Sequence, residues 1–116
     1  MKTKNLFLLL ACALFISCEN QAIVQVKNNV HNVRLDNISF SNVSIGSGVF
    51  PGETVEKTIT DNYKEISFPV TSQLEFYMVK GDKRVYLKTK EFFKVDEDET
   101  LEISITDDTE LINPMN

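Results

Sequence analysis

The side chains with the most chemical range in this sequence form a short inventory. His31 is the only imidazole, and it sits between Asn29 and Asn32 in a turn-like stretch. A Ser–His–Asp triad would have to use it, yet no Gly-x-Ser-x-Gly elbow presents a serine, and Gly46-Ser47-Gly48 lacks the flanking spacing. His31 therefore reads as a solvated loop residue. Carboxylates cluster at Asp96, Glu97, Asp98 and Glu99, and again at Asp107, Asp108 and Glu110. Their spacing is not that of a calcium-binding EF-hand, and no turn glycine follows. A strand between the clusters would hold Asp98 and Asp107 about 25–30 Å apart, so each reads as a solvated turn. Zinc would need soft ligands that the chain beyond residue 18 does not contain. The expectation is no catalytic residue, no metal and no cofactor. The remaining candidate is a surface: Tyr77 and Tyr86, with Glu75, Arg84 and Lys88, on one side of an expected hairpin. Tyrosine and arginine suit interfaces because they combine contact area with polar tips.

The two cysteines lie at the other end of the chain. Lys2 and Lys4 precede an apolar run from Leu6 to Ile16, which closes on Ser17-Cys18. That run has the length of a signal-peptide core and is too short to span a bilayer as a helix. Leu9-Leu10-Ala11-Cys12 matches the lipobox spacing, but cutting there leaves only Leu6 to Leu10 as core and a greasy start, Ala13-Leu14-Phe15-Ile16. Cys18 gives a full core, a small Ser17 before it and a polar Glu19-Asn20-Gln21 after it, with Phe15 where leucine is usual. The segment resembles the signal of bacterial lipoproteins. The resemblance covers about eighteen residues and implies that Cys18 carries a diacylglyceryl thioether and usually an amide-linked acyl chain. One acyl chain binds membranes marginally, and two or more anchor stably. The alternative is an ordinary signal cut near Ser17, leaving a soluble periplasmic protein with a free thiol. The lipoprotein reading places the protein in the cell envelope, at the outer membrane, with its periplasmic or surface orientation open.

Removal of residues 1–17 leaves 99, the size of one domain. Twelve basic residues become ten against seventeen acidic ones, a net charge of −7. Such a surface repels phosphate backbones and argues against nucleic-acid binding. With Cys12 lost and Cys18 acylated, no disulfide is available.

Short alternating runs rich in Val, Ile, Thr and Phe predict strands near 22–28, 33–40, 42–50, 53–60, 64–70, 73–80, 84–90 and 99–106, with a shorter piece around 92–95. The expected fold is all-β: an antiparallel immunoglobulin-like β-sandwich of about seven to eight strands over 23–112. The Cys…Trp…Cys pattern of true immunoglobulin domains is missing, so that likeness is architectural. Residues 18–22 read as a lipidated tether and 113–116 as a tail. Gly81-Asp82 suits a two-residue type II′ turn, which would set Tyr77 opposite Tyr86 and Glu75 opposite Lys88. In 33–40 the apolar phase breaks between Leu35 and Ile38, predicting a bulge or strand crossing near Asn37. Phe50-Pro51-Gly52-Glu53 reads as a tight turn.

These features suggest a non-enzymatic, membrane-anchored module that docks a protein or glycan. A tethered carrier of a small ligand or metal, delivering cargo to a transporter, is the alternative and requires a concave pocket of a few hundred Å³. A small hydrolase fits worst, given how few histidines and glycine elbows there are.

Overall fold

The computed structural model describes residues 20–61 and 66–115. The signal segment and Cys18 lie outside them. The described residues form an all-β sandwich of ten strands: β1 (Gln21–Asn29), β2 (Arg34–Phe40), β3 (Val43–Gly46), β4 (Thr54–Thr60), β5 (Val70–Ser72), β6 (Leu74–Lys80), β7 (Lys83–Thr89), β8 (Phe93–Val95), β9 (Thr100–Thr106) and β10 (Leu111–Ile112). They form a three-stranded sheet, β4-β1-β9, a five-stranded sheet, β10-β7-β6-β2-β3, and a small β5-β8 pair. No helix among the described residues is long and apolar enough to cross a membrane.

Two-residue periodicity explains the layers. In β1, Ala22, Val24, Val26 and Asn28 point inward, while Gln21, Lys27 and Asn29 are exposed. Across the core, Leu35, Ile38, Phe40, Leu74 and Phe76 are fully buried on the five-stranded sheet. Burying a side chain of that size contributes roughly 2–3 kcal/mol against the entropy of ordering the chain. Gly46 marks a close approach between the layers, since a Cβ there would sit 3.1 Å from Val55 of β4.

The broken phase in β2 is a bulge, as its sequence suggests. Register against β6 shifts between Asp36 and Ser39, and Asn37 takes a φ of +50°. The extra residue returns Ile38 and Phe40 to the face that Leu35 occupies. The Phe50–Glu53 turn also forms: Glu53 N–H donates to the Phe50 carbonyl at 3.0 Å, and Gly52 has a φ of +91°.

Four expectations shift. Ten strands form among the described residues, more than the expected seven to eight. β1 pairs with β9 in parallel, a departure from a purely antiparallel sandwich. A parallel pair needs a long connection, and nearly the whole domain lies between these two strands. The strand expected over 64–70 begins at Val70, after a bend at Phe68-Pro69, whose peptide bond is cis; Lys64 and Glu65 lie outside the described residues. Pairing of Gln21 with Thr60 brings β1 into the expected tether, and β10 forms just before the tail.

Candidate functional site

The candidate face is built on the β6–β7 hairpin. Gly81 has a φ of +63°, while Asp82 takes no positive φ, the signature of a type II′ turn. The expected pairs Tyr77 with Tyr86 and Glu75 with Lys88 form, and with them Lys80 with Lys83, Val79 with Arg84, Met78 with Val85 and Phe76 with Leu87. Tyr77, Tyr86, Glu75, Arg84 and Lys88 thus share the outer face. Leu74 and Phe76 enter the core from the other.

The two tyrosine rings lie 5.3 Å apart at 47°, a tilted contact within the favourable range for aromatic pairs. The Arg84 guanidinium sits 4.0 Å above the Tyr77 ring. The Tyr86 hydroxyl donates to the Glu75 carboxylate. That bond, helped by burial and by the carboxylate's charge, pushes the Tyr86 hydroxyl up to about 12. Glu75 and Lys88 are register partners, but no ion pair joins them among the described residues, because Glu75 turns to Tyr86.

The pH consequence follows from the direction of the shift. Stability from the Tyr86–Glu75 bond is complete below the unfolded tyrosine value near 10 and is lost as pH rises through about 12. Tyr86→Phe should cost about 1 kcal/mol at pH 7. It should also remove that share of the alkaline loss, as measured by denaturant unfolding at neutral and alkaline pH.

The structure adds residues that the sequence did not single out. Asp36 of β2 lies beside Tyr77 and is nearly buried. Its carboxylate accepts Arg34 Nε at 2.9 Å and Arg34 Nη2 at 3.0 Å, then Arg84 Nη1 at 3.3 Å and the Gly48 N–H at 3.1 Å. The bidentate Arg34 contact chiefly holds Asp36 below the usual carboxylate range, against the opposing effect of burial. Arg34 also reaches over Phe50, 5.9 Å from the ring centroid, and Phe50 is 53% exposed. Arg34 and Asp36, two residues apart on a strand, had to share a face. Only the β2–β6 pairing, remote in sequence, reveals that this is the tyrosine face.

The other candidates stay apart from it. The His31 side chain is exposed, with its Nδ1 3.6 Å from the Asp107 carboxylate, which accepts the His31 backbone N–H at 3.0 Å. Glu99 and Asp96 spend their carboxylates on the N–H groups of Asp96 and Glu97, closing their own turn. Among the described residues no group of three His, Cys, Asp or Glu side chains could hold a metal ion. A depression of about 350 Å³, open to solvent, lies at the tip of the hairpin between Arg34, Phe50 and Val79.

The face that results is half-exposed, aromatic and cationic, and most of its polar groups are tied to one another. No protein-family model matches the chain, and no curated protein or solved structure matches it significantly.

Proposed function

We propose that the protein is a lipid-anchored lipoprotein of the bacterial cell envelope, placed at the outer membrane, and that its sandwich is a non-enzymatic docking module. Cys18 holds the acyl chains, and the outer face of β6 and β7 receives a partner protein. The observation that carries this reading is the concentration of cations and tyrosines on one hairpin of an acidic chain. Arg84 and Lys88 lie on that outer face, Lys80 and Lys83 flank the turn from the core side, and with Lys90 just beyond β7 they make half of the ten basic residues that follow the signal. Cations grouped on an acidic domain steer and orient a partner of opposite charge.

The stacking of Arg84 favours a protein over a glycan. A sugar ring would need an open tyrosine face, and the guanidinium already covers that of Tyr77. Anchoring supports the same reading, because tethering both partners near one membrane raises their effective concentration.

A photo-crosslinking side chain at Val79, on the outer face of the hairpin, tests the proposal in living cells. It should join the protein to a discrete envelope partner, and the same group at Glu102, on the outer face of the other sheet, should not. Equal, diffuse labelling from both positions would contradict it.

A further inference from the structure

The outer side of β7 is only partly covered. Its neighbour β10 is two residues long and pairs at Thr89 and Lys88. From Leu87 to Lys83 no described residue pairs with that edge. The two-residue turn makes Lys80 and Lys83 a hydrogen-bonded pair, so residues 83, 85 and 87 turn their backbone groups toward β6. Arg84 and Tyr86 then turn theirs outward. The bond from Lys90 N–H to the Glu110 carbonyl, 3.0 Å across the same edge, has this parity.

The chain's own C-terminus cannot complete the pairing. Continuing the β10 register would bring Pro114 opposite Tyr86, at a position where a backbone N–H must be donated. Proline has none.

Side chains along the open edge define what would fit. Lys83, Val85 and Leu87 lie on the core side, and Val85 is 41% exposed because no strand flanks it. Arg84, Tyr86 and Lys88 lie on the outer side. A strand added here would set alternate residues beside Val85 and Leu87, and the residues between them beside Arg84 and Lys88.

We propose that the β7 edge from Lys83 to Leu87 receives an extended segment of a partner protein in which apolar residues alternate with carboxylates. This deepens the docking reading and rests on it for the choice of hairpin. Lysines on an edge commonly discourage self-pairing, and they do so here. Two β7 edges set antiparallel would bring the cations of one copy against those of the other. The same charges admit an acidic strand.

A short acetylated peptide of alternating valine and glutamate, added to the full acylated protein in detergent micelles, is the probe. Amide hydrogen exchange at Arg84 and Tyr86 should slow by about tenfold or more. A lysine-for-glutamate peptide should leave it unchanged. Arg84→Pro removes one outward donor without touching the β6 ladder, and Arg84→Glu keeps the donor but reverses the charge. Each should weaken the glutamate peptide by about tenfold or more, while protection at Met78 and Val85 reports an intact hairpin. Equal binding of both peptides, or full binding by Arg84→Pro, would overturn the proposal. So would exchange that slows with protein concentration alone, which assigns the edge to a second copy. A partner crosslinked from Val79 without protection of the β7 edge would keep the docking face and refute strand addition.

Discussion

Replacing Asn28 with alanine should cost the fold about 2–4 kcal/mol, an effect read directly from denaturant unfolding. Asn28 is completely buried, in phase with the core residues Val24 and Val26. Its side-chain amide donates to the Val33 carbonyl at 2.7 Å and the Val49 carbonyl at 2.8 Å, and its oxygen accepts the Val30 N–H at 2.9 Å. These three bonds tie the end of β1 to the start of β2 and to the segment entering the Phe50–Glu53 turn. Alanine takes these partners from the Val30 N–H and the Val33 carbonyl, while the Val49 carbonyl keeps only its bond from the Leu35 N–H at 2.9 Å; unpaired buried polar groups cost more than a typical hydrogen bond gains.

Asn28→Asp should behave differently, and its pH dependence separates the two variants. An ionised carboxylate cannot donate to the Val33 and Val49 carbonyls and would face both as a buried charge. The fold therefore favours the neutral acid, and the introduced carboxyl titrates higher in the folded protein than in the unfolded one. Stability that is present below about pH 4 is lost as pH rises, at about 1.4 kcal/mol per unit until the folded form ionises. Asn28→Ala should show no such slope. Equal slopes in the two variants would mean that position 28 does not hold the joint.

Metabolic labelling with a fatty acid should mark the wild-type protein and Cys12→Ala, and fall to background in Cys18→Ala. A thioether needs the sulfur, and alanine has none. Exported instead by an ordinary cleaved signal, the mature domain without acyl chains should leave the membrane fraction, since residues 19–116 hold no apolar run like Leu6–Ile16. Label lost from Cys12→Ala and kept in Cys18→Ala would move the anchor to the other cysteine. No label on any form would mean that the domain is not acylated, and tethering could then not raise its concentration near a partner.

The hairpin could be read from the sequence because one two-residue turn counts both strands outward together, so Gly81 alone fixes Tyr77 against Tyr86. The β2 bulge was legible for a related reason. Apolar residues that change phase within one strand can share a core only if the backbone absorbs an extra residue, and Asn37 does so. Asn28 carried a signal as well, as a polar residue in register with a valine stripe. Its partners at Val33 and Val49, however, are set by a chain reversal rather than by the strand itself. The Asp36 cluster was hidden more deeply. It depends on β2 lying beside β6, a pairing that sequence alternation allows but does not select. The parallel β1–β9 pair is likewise a property of the closed fold, and the strand expected at 64–70 gave way to a bend at Phe68-Pro69.

The proposed module joins an anchor to a docking face, and one measurement tests both halves. Crosslinking yield from position 79 is compared in cells making the acylated protein and in cells making an equal amount of the mature domain without its anchor, exported by an ordinary signal. Tethering can raise local concentration by orders of magnitude. The expected result is a discrete partner adduct from the anchored form, reduced about tenfold or more without the acyl chains, with no adduct from position 102 in either. Equal yields from the two forms, or an equal adduct from position 102, would rule out an anchored docking face on this hairpin.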